Sequence, residues 1–428
     1  MSADAPASRK KMASLLRAGP FRRYIIGSAI SDTGTWMQVM AQAWVMSTLT
    51  NRALYLGLVS VAAGLPTIAL TMKGGEAADR YDKRKILIWT QIAQTALALI
   101  LGTLVLTGRI QIWHVIALAF CLGICIAYEM PAINALVPEL VARDEIATAI
   151  ALDRSVFHGS RLVGPSLAGL FVGWWGAASA FFTNAATFLA LVIAMASLPP
   201  RPPGTAEEEE QRRSGFKEGI RYVRKDRTIM AMIVLIALTT IFIFPFLSVI
   251  LPLYVRNILH LGPTNFGYLM AVSGTGALFG ALGLLSVSRD HRYRFMTGAV
   301  VLVAISLLVM SQSNSFLLTA IAMGILAIGL SSNFGLANTI VQERAPAPLR
   351  GRISAIFGLS FFGLTPVGGL LTPAFADLVG IRAALAVCAI LFGILAVLLM
   401  NAAGRTGCEK TGSDISEAEP TPQPAAVV

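Results

Sequence analysis

The sequence predicts an all-α membrane protein with twelve transmembrane helices in two pseudo-symmetric six-helix bundles. Of its 428 residues, 55% are hydrophobic and only 13% are charged, roughly half the charged fraction of a soluble domain. Twelve helices of about 20 residues need about 240 mostly apolar residues, and 55% of 428 is about 235. The 38 glycines suit helices that pack closely in lipid, because small residues let backbones approach.

Apolar segments of spanning length occur in two sets of six. The first set covers residues 24–48, 53–72, 86–106, 110–130, 150–172 and 178–198. The second set covers residues 229–255, 266–287, 295–310, 316–340, 353–378 and 383–400. We therefore expect a cytoplasmic N-terminal arm (1–20), a first bundle (21–198), a cytoplasmic linker (199–228), a second bundle (229–403) and a disordered cytoplasmic tail (404–428).

The distribution of Lys and Arg predicts which side of the membrane each loop faces. With the N-terminus inside, 29 of the 34 basic residues lie in inner segments, and Arg161 lies within a span. The outer loops hold only Arg52, Arg109, Arg256 and Arg382. Because basic residues accumulate on the cytoplasmic side, this asymmetry predicts twelve spans in the inner membrane with both termini cytoplasmic. Topology thus explains the net charge of +11, and we expect no nucleic-acid partner.

The two halves of the chain repeat weakly. Residues 137–139 recur as 341–343, residues 164–165 as 365–366, and the basic loop near Asp79 as a loop near Asp290, at offsets of 204, 201 and 211 residues. A nearly constant offset is typical of two duplicated bundles that hold a substrate path between them near the middle of the membrane.

Enzymatic chemistry finds no support in the sequence. The four histidines, at 114, 158, 260 and 291, are scattered, and neither a nucleotide-binding loop nor metal-ligand spacing occurs. We therefore expect a protein that is not an enzyme and has no cofactor. It would use the proton gradient as its energy source, with the lipid bilayer and a small-molecule substrate as its partners, and act as a monomer.

The loop between the second and third spans carries the most specific motif. It reads Gly75-Glu-Ala-Ala-Asp79-Arg80-Tyr-Asp82-Lys83-Arg84-Lys85. This loop resembles the signature loop of the major facilitator superfamily, Gly-x-x-x-Asp-Arg-x-Gly-Arg-Arg, with Asp82 in place of a glycine. In that superfamily the loop latches the two halves together on the inner side. The resemblance therefore implies the major facilitator fold and a cytoplasmic latch formed by Gly75, Asp79, Arg80, Lys83 and Arg84.

Span five carries Gly159, Gly164, Pro165 and Gly169, which resemble the Gly-Pro motif of drug/proton antiporters. A proline removes a helical hydrogen bond, so a hinge is expected in this helix. Residues 34–38 and 135–141 make the chain similar to the enterobactin-exporter-like and macrolide-efflux-like permeases. The resemblance implies secondary active transport by alternating access, with proton-coupled efflux of a hydrophobic or amphiphilic small molecule such as a drug, macrolide or siderophore.

Polar residues form a stripe along span one. At 100° per residue, an arc of about 120° holds Ser28, Ser31, Asp32, Thr35, Gln38 and Gln42. Asp32 lies about 12 Å into the span, too deep to reach the lipid headgroups comfortably. We expect Asp32 to face a substrate cavity beside Trp36 and to bind a proton or a cation. A structural ion pair with Arg161 is the alternative.

Three further charged residues lie within or at the ends of spans. We expect Arg161 to pair with Asp32, Glu129 or Asp153, because an unpaired guanidinium in the membrane is costly. Alternatively, Arg161 lines a route for an anionic substrate group, and the protein would then import a small anionic solute. Glu129 in span four and Glu343 at the end of span ten are expected to be symmetry-related gate residues.

Overall fold

The computed structural model describes residues 19–199, 216–288, 291–346 and 349–416, together with Leu15 and Arg17. Within these residues all regular secondary structure is helical. Most of the predicted arm, most of the predicted linker and the end of the predicted tail lie outside the described residues.

The first half of the chain forms six long helices joined by short turns. They are α1 (Gly19–Leu49), α2 (Ala53–Arg80), α3 (Lys83–Leu106), α4 (Ile112–Glu139), α5 (Ile146–Trp175) and α6 (Ala177–Ala196). Asp82, which replaces the motif glycine, caps α3 by accepting a hydrogen bond from the backbone N–H of Arg84 at 3.0 Å. A short carboxylate side chain is well suited to this place, because it satisfies a free N–H at the helix start.

The second half begins with the short helix α7 (Phe216–Lys225) and contains two interrupted spans. The seventh predicted span consists of α8 (Arg227–Phe242), a π-helix (Phe246–Ile250) and α9 (Leu251–Asn257). It is followed by α10 (Pro263–Gly283), α11 (Arg292–Gln312) and α12 (Phe316–Arg344). The eleventh span is divided into α13 (Arg350–Phe362) and α14 (Thr365–Val379), and α15 covers Ile381–Ser416.

Ten spans in the described chain are long and apolar enough to cross a membrane when each interrupted span counts once. The helices α1 and α5 are not among the ten, although they contain 31 and 30 residues. They carry Asp32, Asp153, Arg154 and Arg161, together with the polar stripe of α1, which lowers their hydropathy. The all-helical membrane architecture is therefore confirmed, and the count of twelve spans stays a prediction.

Two ion pairs occupy equivalent places in the two halves. Lys83 at the start of α3 binds Glu139 at the end of α4, with 2.9 Å between Nζ and Oε1. Arg292 at the start of α11 binds Glu343 at the end of α12, with 2.8 Å between Nη1 and Oε2. The weak sequence repeat thus corresponds to a repeated contact. Glu139, rather than Glu129, is the structural counterpart of Glu343, because the contact pairs the ends of corresponding helices.

The two halves meet where α2 packs on α14 and α5 packs on α10. We call the faces of the molecule inner and outer according to the distribution of basic residues, so that the α1–α2 turn is outer and the α2–α3 loop is inner. A Cβ atom on Gly57 would lie 2.1 Å from the carbonyl oxygen of Gly369, and one on Gly169 would lie 2.6 Å from Cα of Gly267. These backbone contacts lie in the outer parts of the four helices.

Candidate functional site

Polar contacts of Asp377, Arg256 and Asn257 join the halves at the outer face. Asp377 of α14 accepts hydrogen bonds from the backbone N–H groups of Ala53 at 2.6 Å and Leu54 at 2.9 Å, at the start of α2. A carboxylate is favourable there because it faces the positive end of the helix dipole. Arg256 donates to the carbonyl oxygen of Ser47. The charge distribution marked Arg256 as an outer exception, whereas no sequence signal pointed to Asp377.

Replacing Asp377 with alanine should loosen the outer contact. Loss of both hydrogen bonds at the helix start removes about 1 kcal/mol from the outer-closed state, roughly a fivefold change in its population. Ser60 of α2 lies in the same contact, against Gly369. We expect a membrane-impermeant maleimide to label Ser60→Cys about five times faster from the outer side in the Asp377→Ala background, with the four native cysteines replaced by serine.

Arg382→Ala is the matched control for this experiment. Arg382 also lies at the outer face, but it donates to Asn314 within the second half. Its removal should leave the labelling rate of Ser60→Cys unchanged. Equal labelling rates in the Asp377→Ala and Arg382→Ala backgrounds would show that the contact of Asp377 does not hold the halves together.

The ion pairs described near the inner face join residues within one half. Arg80 binds Glu76 one turn earlier on α2 at 2.7 Å, and Lys83 binds Glu139. Arg84 contacts Asp82 at 3.4 Å and donates to the carbonyl oxygen of Leu198. The motif residues Lys83 and Arg84 therefore brace the first half in this structure.

The two other motif residues of the loop are Asp79 and Gly75. Asp79 is half-buried, and a Cβ atom on Gly75 would meet nothing within 4 Å.

The stripe of α1 divides into two environments. Asp32 is half-buried and accepts a hydrogen bond from the Ser28 hydroxyl at 3.1 Å. Gln38, which the sequence placed with the cavity residues, is buried against α6, where it accepts from the Asn184 amide at 2.8 Å. Asp32, Thr35, Trp36 and Gln42 all remain half-buried. The stripe thus packs against α6 at Gln38 and is partly exposed at Asp32.

Helix α5 packs against α1 beside Asp32. The Tyr24 hydroxyl of α1 donates to Oδ1 of Asp153 at 2.6 Å, in a buried contact. Farther along, a Cβ atom on Gly164 would lie 2.6 Å from Cβ of Trp36 and 2.7 Å from the carbonyl oxygen of Thr33. Gly164 therefore lets α5 approach the part of α1 that holds Thr33 and Trp36.

The remaining hinge residues of α5 differ in their surroundings. Pro165 lies inside the helix, and Gly169 meets the backbone of α10. Gly159 is exposed, and a Cβ atom there would meet nothing within 4 Å. Only part of the predicted hinge therefore lies in a close helix contact.

Arg161 lies between aromatic rings from the two halves. Its Cζ atom is 5.3 Å from the ring centroid of Trp36 and 5.7 Å from that of Phe244. Both distances are within the range of a cation–π interaction. None of the described ion pairs involves Arg161. The predicted pairing with a carboxylate is therefore not seen, and Arg161 contacts two aromatic rings instead. The side chain is nevertheless exposed, so it lines an accessible space between the halves.

Phe244 reaches this position because the seventh span is interrupted beside it. Pro245 has no N–H to donate to the carbonyl oxygen of Ile241 four residues earlier. The Thr372 hydroxyl of α14 donates to that carbonyl oxygen instead, at 2.8 Å. A π-helix follows directly, and such irregular turns are frequent at functional sites. Phe244 was not among the residues predicted from the sequence.

A phenylalanine cluster extends from Phe244 into the second half. The ring centroids of Phe244 and Phe361 are 4.9 Å apart, those of Phe361 and Phe334 are 5.6 Å apart, and those of Phe334 and Phe357 are 5.5 Å apart. The candidate membrane spans of the second half carry charged residues only near their ends. The space between the halves therefore has a wall with ionisable residues on α1 and α5 and an aromatic wall opposite.

Glu129 lies in α4, where its side chain is half-buried against α3. It accepts hydrogen bonds from the amides of Gln91 at 2.7 Å and Gln94, both on α3. The Ser31 hydroxyl of α1 donates to Oε1 of Gln91 at 3.2 Å. Glu129 was predicted as a candidate residue from the sequence, whereas the two glutamines were not.

The comparisons with known proteins agree with this architecture. A family model described as transmembrane secretion effector matches residues 11–426. The chain is 24% identical over 399 residues to the multidrug efflux pump Tap of Mycolicibacterium fortuitum, covering 90% of this chain and 96% of that protein. It is 22% identical over 362 residues to macrolide efflux protein A of Streptococcus pyogenes, covering 83% and 89%.

Solved transporters share the fold. A bacterial homologue of the human lysosomal transporter Spinster, in an inward-facing and occupied conformation, aligns with a TM-score of 0.69 at 15% identity, over 90% of this chain and 97% of that one. A bacterial homologue of the iron transporter ferroportin, in an inward-facing state, aligns with a TM-score of 0.66 at 16% identity, over 91% and 99%.

The predicted resemblance to the major facilitator superfamily is thereby confirmed. The protein is a multi-pass membrane transporter rather than an enzyme. The chain belongs to the transmembrane secretion effector family, within the macrolide-efflux-like branch of the major facilitator superfamily.

Proposed function

We propose that this transporter exports a hydrophobic or amphiphilic small molecule across the inner membrane in exchange for protons. The observation that carries the proposal is the position of Asp32 on α1, one helical turn before Trp36, whose ring meets Arg161 between the two halves. The relatives named as multidrug and macrolide efflux proteins support export and this substrate class. We take the protein to be a monomer with both termini in the cytoplasm.

Substrate binding would use both walls of the space between the halves. The rings of Trp36, Phe244, Phe334 and Phe361 offer apolar area to a lipophilic molecule. Asp32 would exchange a proton with the aqueous phase that reaches this space, and release of that proton would accompany binding of substrate. The proton gradient thereby drives export, and no cofactor is required.

Alternating access would proceed by breaking the outer contacts and closing the inner side. In the inward-facing state, Asp377 and Arg256 hold the outer ends of the halves together. The loop of Gly75, Asp79, Arg80, Lys83 and Arg84 would then latch the inner ends when the outer side opens. The Gly164–Pro165 segment would let α5 bend during the exchange.

Import of a small anionic solute is the second candidate function. The observation that favours this function is the environment of Arg161. Its guanidinium contacts two aromatic rings, and it forms no ion pair among those described. An anionic group could bind this guanidinium through charge-assisted hydrogen bonds.

Everted membrane vesicles distinguish the two functions. The vesicles acidify their lumen by respiration, and a fluorescent amine reports the pH gradient. If the protein exchanges substrate for protons, erythromycin or ethidium added outside should partly dissipate the gradient, and vesicles without the protein should show no response. A gradient that persists with every lipophilic probe, but falls when a small carboxylate is added, would support the anion transporter instead.

A further inference from the structure

Glu129 lies within the first half of the molecule in a site built from neutral donors. Both of its carboxylate oxygens accept amide N–H groups from α3, one from Gln91 and one from Gln94. The two glutamines lie one turn apart, and they are 0% and 3% exposed, so packing holds their amides in place. No basic side chain forms an ion pair with Glu129 in the described residues. The two amide donors favour the carboxylate, but no ion pair fixes the residue in that charge state.

The Glu129 site is connected to α1 through Gln91. The Oε1 atom of Gln91 accepts the Ser31 hydroxyl at 3.2 Å, while its Nε2 atom donates to Glu129 at 2.7 Å. Ser31 is the neighbour of Asp32 in the sequence. If a proton on Oε1 of Glu129 points toward Gln91, the two groups become two facing donors, and the Gln91 amide turns to present its oxygen. The Ser31 hydroxyl would then lose its acceptor.

The second half lacks an equivalent site. The offset of 204 that relates Glu139 to Glu343 places Asn333 at the position equivalent to Glu129. The offset of 209 between Lys83 and Arg292 similarly relates Gln91 and Gln94 to two buried valines, Val300 and Val303.

Asn333 itself has no hydrogen-bond partner. It is 1% exposed, and neither its amide nitrogen nor its amide oxygen forms a hydrogen bond in the described structure. The carboxylate and its two donors thus occur together in the first half, and all three residues differ in the second.

The charged and titratable groups around Glu129 are few. Asp32 of α1 and Cys125 of α4 interact with it electrostatically. On α5 the guanidinium of Arg154 is occupied by Asn134 at 2.6 Å. Helix α2 packs on α4 through Gly74, and the adjacent Lys73 is exposed. Asp32 and Glu129 are both half-buried, and as two carboxylates they repel each other more strongly than they would in bulk water.

We propose that Glu129 is a second proton-binding residue of the transport cycle and that Gln91 transmits its charge state to α1. The proton reaches Oε1 of Glu129 from the aqueous phase that Asp32 faces and later returns to water, and no other bond is made or broken. This inference rests on the proposed proton-coupled export. Gln91 acts as a positioning residue, because it contacts neither substrate nor the aqueous space.

The test uses the full-length protein in proteoliposomes, with radiolabelled erythromycin as the probe. Two rates are measured for each variant: export driven by an imposed pH gradient, and exchange of labelled for unlabelled erythromycin without a gradient. Glu129→Gln should lower gradient-driven export at least tenfold and leave exchange within twofold of the wild type. Glu129→Asp, which restores a carboxylate, should recover gradient-driven export to within threefold.

Asn333→Leu is the matched control in the other half. It alters the equivalent buried position, and both of its rates should stay within twofold of the wild type. Gradient-driven export by Glu129→Gln within twofold of the wild type would overturn the proposal.

If Glu129→Gln does not accumulate in the membrane, Gln91→Leu replaces it. We expect Gln91→Leu to lose at least fivefold in gradient-driven export alone, with Val300→Leu as its control. An unchanged Gln91→Leu would likewise overturn the proposal.

The wild type separates this inference from the proposed function. If wild-type export does not respond to the imposed gradient, the proposal of proton-coupled export is wrong, and so is the proposed role of Glu129. If wild-type export responds and Glu129→Gln responds equally, only the role of Glu129 is wrong.

Discussion

Asp32→Asn should abolish gradient-driven export, with a loss of at least tenfold. Asparagine has nearly the same shape and can still accept the Ser28 hydroxyl, so the packing of α1 is expected to persist. Asparagine cannot bind and release a proton, so the pH gradient could no longer drive the transport cycle. The measurement is the initial rate at which erythromycin dissipates the pH gradient of everted vesicles, normalised to the amount of protein in the membrane.

Asp144→Asn is the control for Asp32→Asn. Asp144 is exposed at the inner face between α4 and α5, so the same chemical change there should leave the rate within twofold of the wild type. If Asp32→Asn also retains the wild-type rate, this carboxylate does not couple proton movement to export.

Gly169→Ala should lower export at least fivefold. A Cβ atom on Gly169 would lie 2.6 Å from Cα of Gly267, and backbone cannot move aside as a flexible side chain can. Overpacking of this kind destabilises a structure by about 1 to 3 kcal/mol, and here it destabilises the state in which the outer face is closed. Transport by membranes with matched protein levels, judged by fluorescence of a fused reporter, measures the effect.

Gly159→Ala separates close contact from flexibility as the role of these glycines. No atom lies within 4 Å of a Cβ atom at Gly159, although it belongs to the same predicted hinge. If the glycines are needed for close helix contact, Gly159→Ala should retain more than half of the wild-type transport rate, whereas Gly169→Ala should not. Equal losses in the two variants would instead show that helix flexibility is what the motif supplies.

Much of the fold follows from hydropathy, because ten predicted spans correspond to long apolar helices. The two exceptions, α1 and α5, were predicted as apolar segments of spanning length, but they are not among the ten because they contain the polar residues of the candidate site. Interruptions within spans were not predicted. Near Pro245, a single proline leaves a carbonyl group that Thr372 satisfies from another helix, and such a contact is invisible to a local pattern.

The candidate site was predictable where a charge lay in an apolar segment, as at Asp32, Glu129 and Arg161. Their partners were not predictable, because they come from distant parts of the chain. Arg161 lies against Trp36 and Phe244. An aromatic residue in an apolar helix gives no signal of its own, so only the packing of the two halves reveals the cation–π contacts.

Gradient-driven transport by the purified protein tests the central claim most directly. The protein is reconstituted in proteoliposomes, a pH gradient is imposed, and the accumulation of radiolabelled erythromycin is followed with and without a protonophore. We predict that erythromycin accumulates in exchange for protons, and that the protonophore or Asp32→Asn removes at least nine-tenths of the accumulation. Accumulation that is the same with and without the gradient would contradict proton-coupled export.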